Sequence, residues 1–331
     1  MPAHYTDSDA DPAVLDGQRI AIVGYGPLGR AFALNLYDSG LNPVIGVAHP
    51  DEEGRAAADG FEPLSIAEAA QLSPFKVLTL PDEQLAERYF AQVAPGLQVD
   101  DTLVFTSGYC MAFGFIEPPP FVDAIMIAPR TDGDGLRAAY TGAEAPLSFI
   151  AVEQDSSGQA WPHLLALARM GGALRGGALE LPARQEAELR LFVQGAVLPA
   201  LTHVLTNAAE LLIREGYPPE AAFISLYTSG ELGKLLSTAA ASGILAGVRA
   251  LPTTGQYLFL ARSDRFQDTK LARILETSLE EVRGGKVAQE WAAEHANGSP
   301  RLAALWGRRA AQTLWRHEEA ALALLRLMRG E

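Results

Sequence analysis

The sequence predicts an α/β fold class in which a helix-covered sheet is followed by an all-helical domain. Three observations lead to this prediction: apolar runs alternate with amphipathic stretches up to about Leu181, a glycine-rich loop follows the first run, and long segments of helical periodicity fill the remainder. We expect a small, acidic and flexible arm over residues 1–17, a sheet domain over 18–182 and a helical domain over 183–331.

Six apolar runs in the first 182 residues are typical of β-strands. Helical segments separate them, which favours a parallel sheet with helices on both faces. The predicted strands are Ile20–Val23, Val44–Val47, Val77–Leu80, Leu103–Phe105, Ile125–Ala128 and Ser148–Val152.

The strand signal fades after Pro182, where long segments of 3.6-residue periodicity begin. Apolar helices of this length usually pack against more than one thin layer, so we expect a homodimer that buries them. The predicted helices are Glu186–Ile213, Pro219–Ala241, Thr269–Arg283 and Arg301–Met328.

Composition limits the classes of partner and compartment. The chain has 40 acidic and 26 basic residues and a net charge of −14, which argues against nucleic acid as a partner. No export signal and no run of 18 uncharged apolar residues is present, so we expect no membrane association. The single cysteine, Cys110, fits a reducing compartment, and we expect a cytoplasmic protein in which Cys110 is a small buried residue.

The glycine-rich loop follows the strand RIAIV and opens a helix-like segment. Its spacing is GxGxxG, in which the first glycine permits a tight turn, the second admits a pyrophosphate and the third lets helix and sheet pack closely. The loop therefore predicts a Rossmann dinucleotide site. The expected cofactor contacts are Gly24, Tyr25, Gly26, Pro27, Leu28 and Gly29.

The end of the second strand distinguishes NAD from NADP, because the ribose 2′ position is read there. The chain continues as VAHPDEEGR, and its carboxylates would repel a 2′-phosphate. Arg55 follows closely in the sequence and argues for NADP, because an arginine can bind a 2′-phosphate. We predict NAD, with Asp51 or Glu52 as the ribose contact.

Seven segments together resemble the ketol-acid reductoisomerases of branched-chain amino-acid synthesis. They are GYGPLGRAFALNLYDSGLNPVIGV, ADGFEPLSIAEAA, LPDEQ, FGFIEPPP, IMIAPR, IAVEQDSSG and EGYPPEAA. The resemblance implies a Rossmann domain, with Pro81 of LPDEQ as a further cofactor contact, and a knotted helical domain over 183–331 for substrate binding and dimerisation. It also implies a reaction in which two magnesium ions drive an alkyl shift before the nicotinamide delivers a hydride.

The chain departs from this family at the residues that hold magnesium. The family's first ligand pair, an aspartate and a glutamate in D-L-F-G-E-Q, corresponds to Arg190 and Gln194. Its second pair corresponds to the segment YTSGELGK, where Glu231 keeps one carboxylate in one register and none survives in the other. The family's histidine and lysine correspond to Ser107 and Arg130.

The intact glycine loop predicts that cofactor binding is retained, and these replacements predict that the metal site is lost. Arginine forks suit a carboxylate, so we expect Arg130 and Arg190 to bind a small carboxylate substrate; a surface ion pair with Asp132 or Asp134 is the alternative for Arg130. We expect Ser107, Arg130 and Glu231, as the base, to act in catalysis. The expected substrate contacts are Arg190, Gln194, Tyr227 and Thr254.

An NAD site without metals can oxidise an alcohol, allow a ring closure through the derived enolate, and return the hydride. The acidic loop and the lost metal ligands resemble a divergent branch of the family that builds the cyclopropanol of malleicyprol-type metabolites from a sulfonium diol acid, with loss of dimethyl sulfide. We predict this reaction. A simple NAD-dependent hydroxy-acid dehydrogenase and a non-catalytic NAD-binding protein are the alternatives.

Overall fold

The computed structural model of the protein describes residues 3–142, 145–267 and 269–330. The chain divides into two compact units, Met1–Arg190 and Leu191–Glu331. The first is a sheet covered by helices and the second is helical, so the predicted fold class is confirmed.

The described residues of the first unit form one sheet in the order β1-β9-β8-β7-β6-β5-β2-β3-β4. Strands β2 to β7 run parallel, whereas β7 with β8 and β1 with β9 are antiparallel. The strands are β1 His4–Tyr5, β2 Ile20–Val23, β3 Val44–Val47, β4 Pro63–Ser65, β5 Phe75–Leu78, β6 Thr102–Phe105, β7 Asp123–Pro129, β8 Ser148–Gln154 and β9 Ala178–Glu180.

Helices connect these strands. Proline at the first helical position starts α1 and α2, and Ser65 and Glu68 form a capping box at the start of α3. The helices are α1 Pro27–Asp38, α2 Pro50–Ala58, α3 Ile66–Leu72, α4 Asp82–Arg88, α5 Tyr109–Ala112, α6 Gly133–Thr141, α7 Ala160–Met170 and α8 Ala183–Phe192, and a π-helical turn, Tyr89–Val93, follows α4.

The amino-terminal segment differs from the flexible arm that we expected; Met1 and Pro2 lie outside the described residues. His4 and Tyr5 pair with β9, and Leu15 is fully buried in the core. An edge strand of two residues has no periodicity to reveal it. The same shortness hid β4 and β9.

The sheet also differs from the all-parallel prediction, since β8 is antiparallel to β7. A buried strand is apolar in either direction, so its sequence does not indicate direction. The predicted strand Val77–Leu80 is displaced from the observed Phe75–Leu78 because of Lys76, a charged residue inside a buried strand. The ammonium group of Lys76 pairs with Asp101, and burial lowers its pKa.

The second unit is built from helices that expose many large apolar side chains. Its described core is small and includes Ala209, Phe223, Leu314 and Ala321. The helices are α9 Leu198–Arg214, α10 Pro219–Phe223, α11 Glu231–Ser242, α12 Ile244–Arg249, α13 Thr253–Arg262, α14 Thr269–Arg283, α15 Lys286–Ala296, α16 Pro300–Ala310 and α17 Thr313–Arg329, with π-helical turns at Val193–Val197 and Ile224–Thr228.

One helical stretch in the described part of the chain, Ala183–Arg214, is long and apolar enough to cross a membrane by length and composition. Helices that pack in soluble proteins meet the same two conditions. This single stretch therefore does not by itself indicate a membrane span.

Candidate functional site

A cleft of about 400 Å³ lies in the first unit, at the edge where β2, β5, β6 and β7 end. This edge includes the point where the chain reverses its direction of winding, because β3 and β4 lie on one side of β2 and β5 to β7 on the other. Ligands of open α/β sheets bind at such a switch point. The ends of the strands therefore determine which side chains face the ligand.

The glycine loop forms one wall of the cleft. Gly24 has a φ of +97°, which a side chain rarely tolerates, and a Cβ on Gly29 would stand 2.1 Å from the carbonyl oxygen of Gly24. The hydroxyl of Thr79 donates a hydrogen bond of 2.7 Å to the carbonyl of Gly24 and so ties the loop to the residue after β5. Two glycines are thus fixed by packing within the protein.

Neither backbone conformation nor packing within the protein requires glycine at position 26. Its φ of −69° and ψ of −176° suit any residue, and a Cβ there would meet no protein atom within 4 Å. The space beside it is the cleft, at the N-terminus of α1, where first-turn N–H groups have no intrahelical acceptor. These residues fit a pyrophosphate, whose charge the helix N-terminus stabilises.

The end of β3 presents one of the two predicted ribose contacts to the cleft. Glu52 lines the cleft and is 7% exposed, and its Oε2 accepts a hydrogen bond of 2.7 Å from the backbone N–H of Ala48. Asp51 is exposed and does not line it. Arg55 and Tyr25 instead line a neighbouring cavity of about 310 Å³.

Polar groups from three different elements meet where β5 and β6 end. The hydroxyl of Ser107, just after β6, donates to Oδ1 of Asp82 at 2.7 Å. The other oxygen of Asp82 accepts a hydrogen bond of 2.8 Å from Arg190 of α8. Pro81 and Asp82 are the third and fourth residues after the end of β5, and both line the wall of the cleft.

A second carboxylate, Glu186, joins the two arginines. It is 1% exposed and lies one helical turn before Arg190, whose Nε is 3.6 Å from its Oε1. The same oxygen is 3.3 Å from Arg130, and Oε2 accepts the backbone N–H of Gly108 at 2.8 Å. Arg130 therefore pairs with Glu186 and not with Asp132, whose carboxylate caps α6.

The carboxylates of Asp82 and Glu186 stabilise the positive charge of Arg190. Burial opposes the charge of Arg190, but Asp82 and Glu186 more than offset it, so the pKa of Arg190 is raised above its ordinary value. The guanidinium also lies over the ring of Tyr109, 5.8 Å from its centroid. A fixed cation thus already lies between these two carboxylates.

Magnesium prefers several oxygen ligands, and a nearby guanidinium would repel it. In the described part of the chain, no group of three or more histidine, cysteine, aspartate or glutamate side chains is arranged to hold a metal ion. The carboxylates of the cleft are engaged by arginines and backbone N–H groups. The first unit therefore fits a dinucleotide better than it fits a metal.

Cys110 is 1% exposed, and burial, reinforced by the charge of Asp82, raises the pKa of its thiol to about 12. The thiolate is the reactive form, so alkylation by iodoacetamide at pH 8 is expected to be roughly a thousandfold slower in the native protein than in free cysteine. Mass spectrometry over time measures this rate, with the unfolded protein as control. Native alkylation at the unfolded rate would contradict the burial of this thiol.

The remaining predicted residues belong to the second unit. Gln194, Glu231 and Thr254 are exposed there, and Glu231 begins α11 directly after Gly230, whose φ is +85°. The hydroxyl of Tyr227 donates a hydrogen bond to Glu318 of α17. Burial, together with this carboxylate, raises the pKa of Tyr227. The two segments that resemble the family's magnesium-binding motifs overlap the π-helical turns Val193–Val197 and Ile224–Thr228, and π-helical turns are frequent at functional sites.

The prediction from sequence omitted Asp82, Glu186 and Thr79. Asp82 could have been found, because a polar residue in the short loop after a parallel strand lies at the ligand edge of the sheet. Glu186 stands four residues before Arg190, the spacing of a helical ion pair. Thr79 gave no such signal, since a hydroxyl inside an apolar stretch usually donates to a backbone carbonyl. Here it donates to the carbonyls of Val23 and Gly24.

Comparisons with solved structures connect this geometry to known proteins. An NADH-preferring ketol-acid reductoisomerase from an uncultured archean is 30% identical, with a TM-score of 0.90 over 98% of each chain. A semialdehyde dehydrogenase NAD-binding protein from Cupriavidus necator is 21% identical, with a TM-score of 0.61 over 80% of this chain and 98% of that one, and it shows likeness of fold alone.

Two family models match nearly the whole chain. Residues 14–177 match the acetohydroxy acid isomeroreductase NADPH-binding domain, and residues 184–326 match the ketol-acid reductoisomerase C-terminal domain. The family consists of oxidoreductases that use a nicotinamide cofactor, which agrees with the cradle around Gly26. The chain belongs to the ketol-acid reductoisomerase family.

Proposed function

We propose that the protein is an NAD-dependent enzyme of secondary metabolism that closes a cyclopropanol ring on a sulfonium diol acid by concealed oxidoreduction, without magnesium. The observation that carries this proposal is the cleft itself. A dinucleotide cradle opens beside two arginines and a serine, where the family's motifs have metal ligands, a lysine and a histidine. The glycine loop for a cofactor is kept, and Arg130, which is only partly engaged by Glu186, can bind an acidic substrate.

NAD is the cofactor that the cleft favours. Glu52 stands where the ribose is read, and a hydrogen bond from Ala48 fixes its carboxylate. A 2′-phosphate close to this carboxylate would be repelled. The NADH preference of the archean relative supports the same choice.

The substrate carboxylate is proposed to bind Arg130. The side chain of Arg130 is 34% exposed and its contact with Glu186 is long, at 3.3 Å, so the guanidinium has donors left for a ligand. Arg190 is held by Asp82 and Glu186 and is less available. We therefore propose that Arg130 binds the substrate carboxylate and that Arg190 holds Asp82 and Glu186 in place.

A nicotinamide held by the glycine loop would supply the exchange of a hydride with a secondary alcohol of the diol. Glu231 is proposed to remove the proton from the neighbouring carbon, which carries the second hydroxyl. That carbon forms the new C–C bond as the C–S bond breaks, and dimethyl sulfide leaves with the electron pair. Gln194, Tyr227 and Thr254 are proposed as further contacts to the substrate chain.

A plain hydroxy-acid dehydrogenase is the second candidate. The observation in its favour is that the cradle, the arginine anchor and a hydroxyl all lie in the first unit. It would release NADH, whereas the concealed reaction would not. For either activity we propose a cytoplasmic homodimer that covers the apolar helices of the second unit.

Product analysis distinguishes these functions. The protein is incubated with NAD⁺, a sulfonium diol acid and EDTA, and the products are followed by mass spectrometry and absorbance at the NADH band. Ring-closed product and dimethyl sulfide without accumulating NADH are expected. Accumulating NADH with the sulfonium group intact would establish the dehydrogenase. In a separate assay with acetolactate, NADH and Mg²⁺, turnover that requires magnesium would contradict the proposal.

A further inference from the structure

We propose that Ser107 and Asp82 form a proton relay for the alcohol that is oxidised in the cleft. Ser107 takes the hydroxyl proton of the substrate and passes its own proton to Asp82. This inference rests on the hydride step of the proposed function but is independent of the ring closure. Ser107 is the catalytic residue of the relay, and Asp82 is a positioning residue that acts through it.

The geometry places the two groups in hydrogen-bond contact at the cleft. The hydroxyl of Ser107 donates to Oδ1 of Asp82 at 2.7 Å, which leaves the lone pairs of the serine oxygen as acceptors. One of them receives the backbone N–H of Tyr109 at 3.4 Å. Another can accept the proton of a substrate hydroxyl, because Ser107 lines the cleft.

Asp82 is held in one orientation from two sides. Its Oδ2 accepts a hydrogen bond of 2.8 Å from Arg190, and the thiol of Cys110 donates to its backbone carbonyl at 3.6 Å. The Arg190 contact directs Oδ1 toward Ser107 and balances the negative charge. The other charged group nearby on α8 is Glu186, which is itself paired with both arginines.

Position along the sheet supports the same assignment. Asp82 follows β5 and Ser107 follows β6, and these neighbouring parallel strands end at the switch-point edge beyond the cradle. A dinucleotide whose phosphates were held by the cradle beside β2 would have its nicotinamide half on the side of β5 and β6. Ser107 and Asp82 lie on that side of the cleft.

The proton and electron balance closes. The carbinol C–H bond breaks, and its electron pair moves to the nicotinamide as a hydride. The O–H bond breaks and a C=O bond forms, while one proton moves to Ser107 as the proton of Ser107 moves to Asp82. An alcohol, NAD⁺ and a carboxylate become a ketone, NADH and a carboxylic acid, and the return of the hydride reverses each transfer.

Three variants and one control test the relay. Ser107→Ala removes the proton conduit, Ser107→Thr restores a hydroxyl, and Asp82→Asn removes the acceptor. Glu83→Gln, next to Asp82 on α4 but outside the cleft lining, is the matched control. Calorimetry measures NAD affinity, and stopped-flow absorbance in a single turnover measures transient NADH formation.

The relay predicts that Ser107→Ala and Asp82→Asn slow transient NADH formation about 10²- to 10⁴-fold. The KM for substrate and the affinity for NAD should stay within about threefold of wild type. Ser107→Thr should recover most of the rate, and Glu83→Gln should behave as wild type.

An unchanged rate in Ser107→Ala overturns the relay, even if Asp82→Asn fails to fold. A slow rate that Ser107→Thr does not recover, together with weakened NAD binding, also overturns it in favour of a structural role. Failure of the wild-type protein to oxidise any hydroxy acid despite tight NAD binding overturns the proposed function, and the wild-type protein alone shows this.

Discussion

A Gly26→Val variant is expected to fold and to lose about a hundredfold in affinity for NAD, or about 2.8 kcal/mol. The backbone at Gly26 already has φ and ψ values that valine adopts, and the added Cβ would meet no protein atom within 4 Å. The side chain would instead occupy the space assigned to the pyrophosphate. Calorimetric titration with NAD⁺ measures the affinity, and thermal melting measures the fold.

Gly29→Ala is the matched control for this prediction. A Cβ at Gly29 would approach the carbonyl oxygen of Gly24 to 2.1 Å, so this smaller change is expected to destabilise the fold by about 1–3 kcal/mol through forced backbone shifts. The two glycines thus separate a binding role from a packing role. Wild-type NAD affinity in a folded Gly26→Val protein would contradict the assigned position of the pyrophosphate.

An Arg130→Gln variant is expected to raise the KM for a carboxylate substrate about 10- to 100-fold, because a hydrogen bond to a charged group contributes about 1.5–3 kcal/mol. NAD affinity should change little, because Glu186, which loses one partner, keeps Arg190 and the N–H of Gly108. Steady-state kinetics with the acid and with its methyl ester, which lacks the carboxylate charge, measure the effect. The ester should be a poor substrate for both proteins.

Arg130→Lys should give an intermediate KM, since lysine keeps the charge and loses the planar fork. Arg19→Gln removes the same charge at an exposed position of the first unit and should behave as wild type. An unchanged KM in Arg130→Gln would transfer the anchoring role to another residue. Arg190 would then be the next candidate.

The cofactor half of the cleft was predictable because its signals are local. GxGxxG after an apolar strand predicts the turn, the cradle and the helix N-terminus, since each glycine has its own steric reason. Hydrophobic periodicity similarly predicts the order of strands and helices. The predicted bounds of the strand that contains Lys76 were wrong because Lys76 is charged. Its burial depends on an ion pair with Asp101, which is 25 residues away in the sequence.

The charge network was less predictable because its partners are distant in sequence. Ser107 and Asp82 are 25 residues apart, and Arg190 reaches Asp82 across 108 residues. Residue types alone suggested that both arginines were free for a substrate. The structure pairs Arg190 with two acids, so the roles of Arg130 and Arg190 separate only once the strand ends are placed side by side.

In the proposed reaction the hydride removed from the substrate returns to the same molecule. A sulfonium diol acid deuterated at the oxidised carbinol carbon, incubated with the protein, excess unlabelled NAD⁺ and EDTA, reports the fate of this hydride by mass spectrometry. We expect a ring-closed product that keeps its deuterium, with none accumulating in the NADH pool. Deuterium that accumulates in NADH while the sulfonium group stays intact would contradict the concealed cycle.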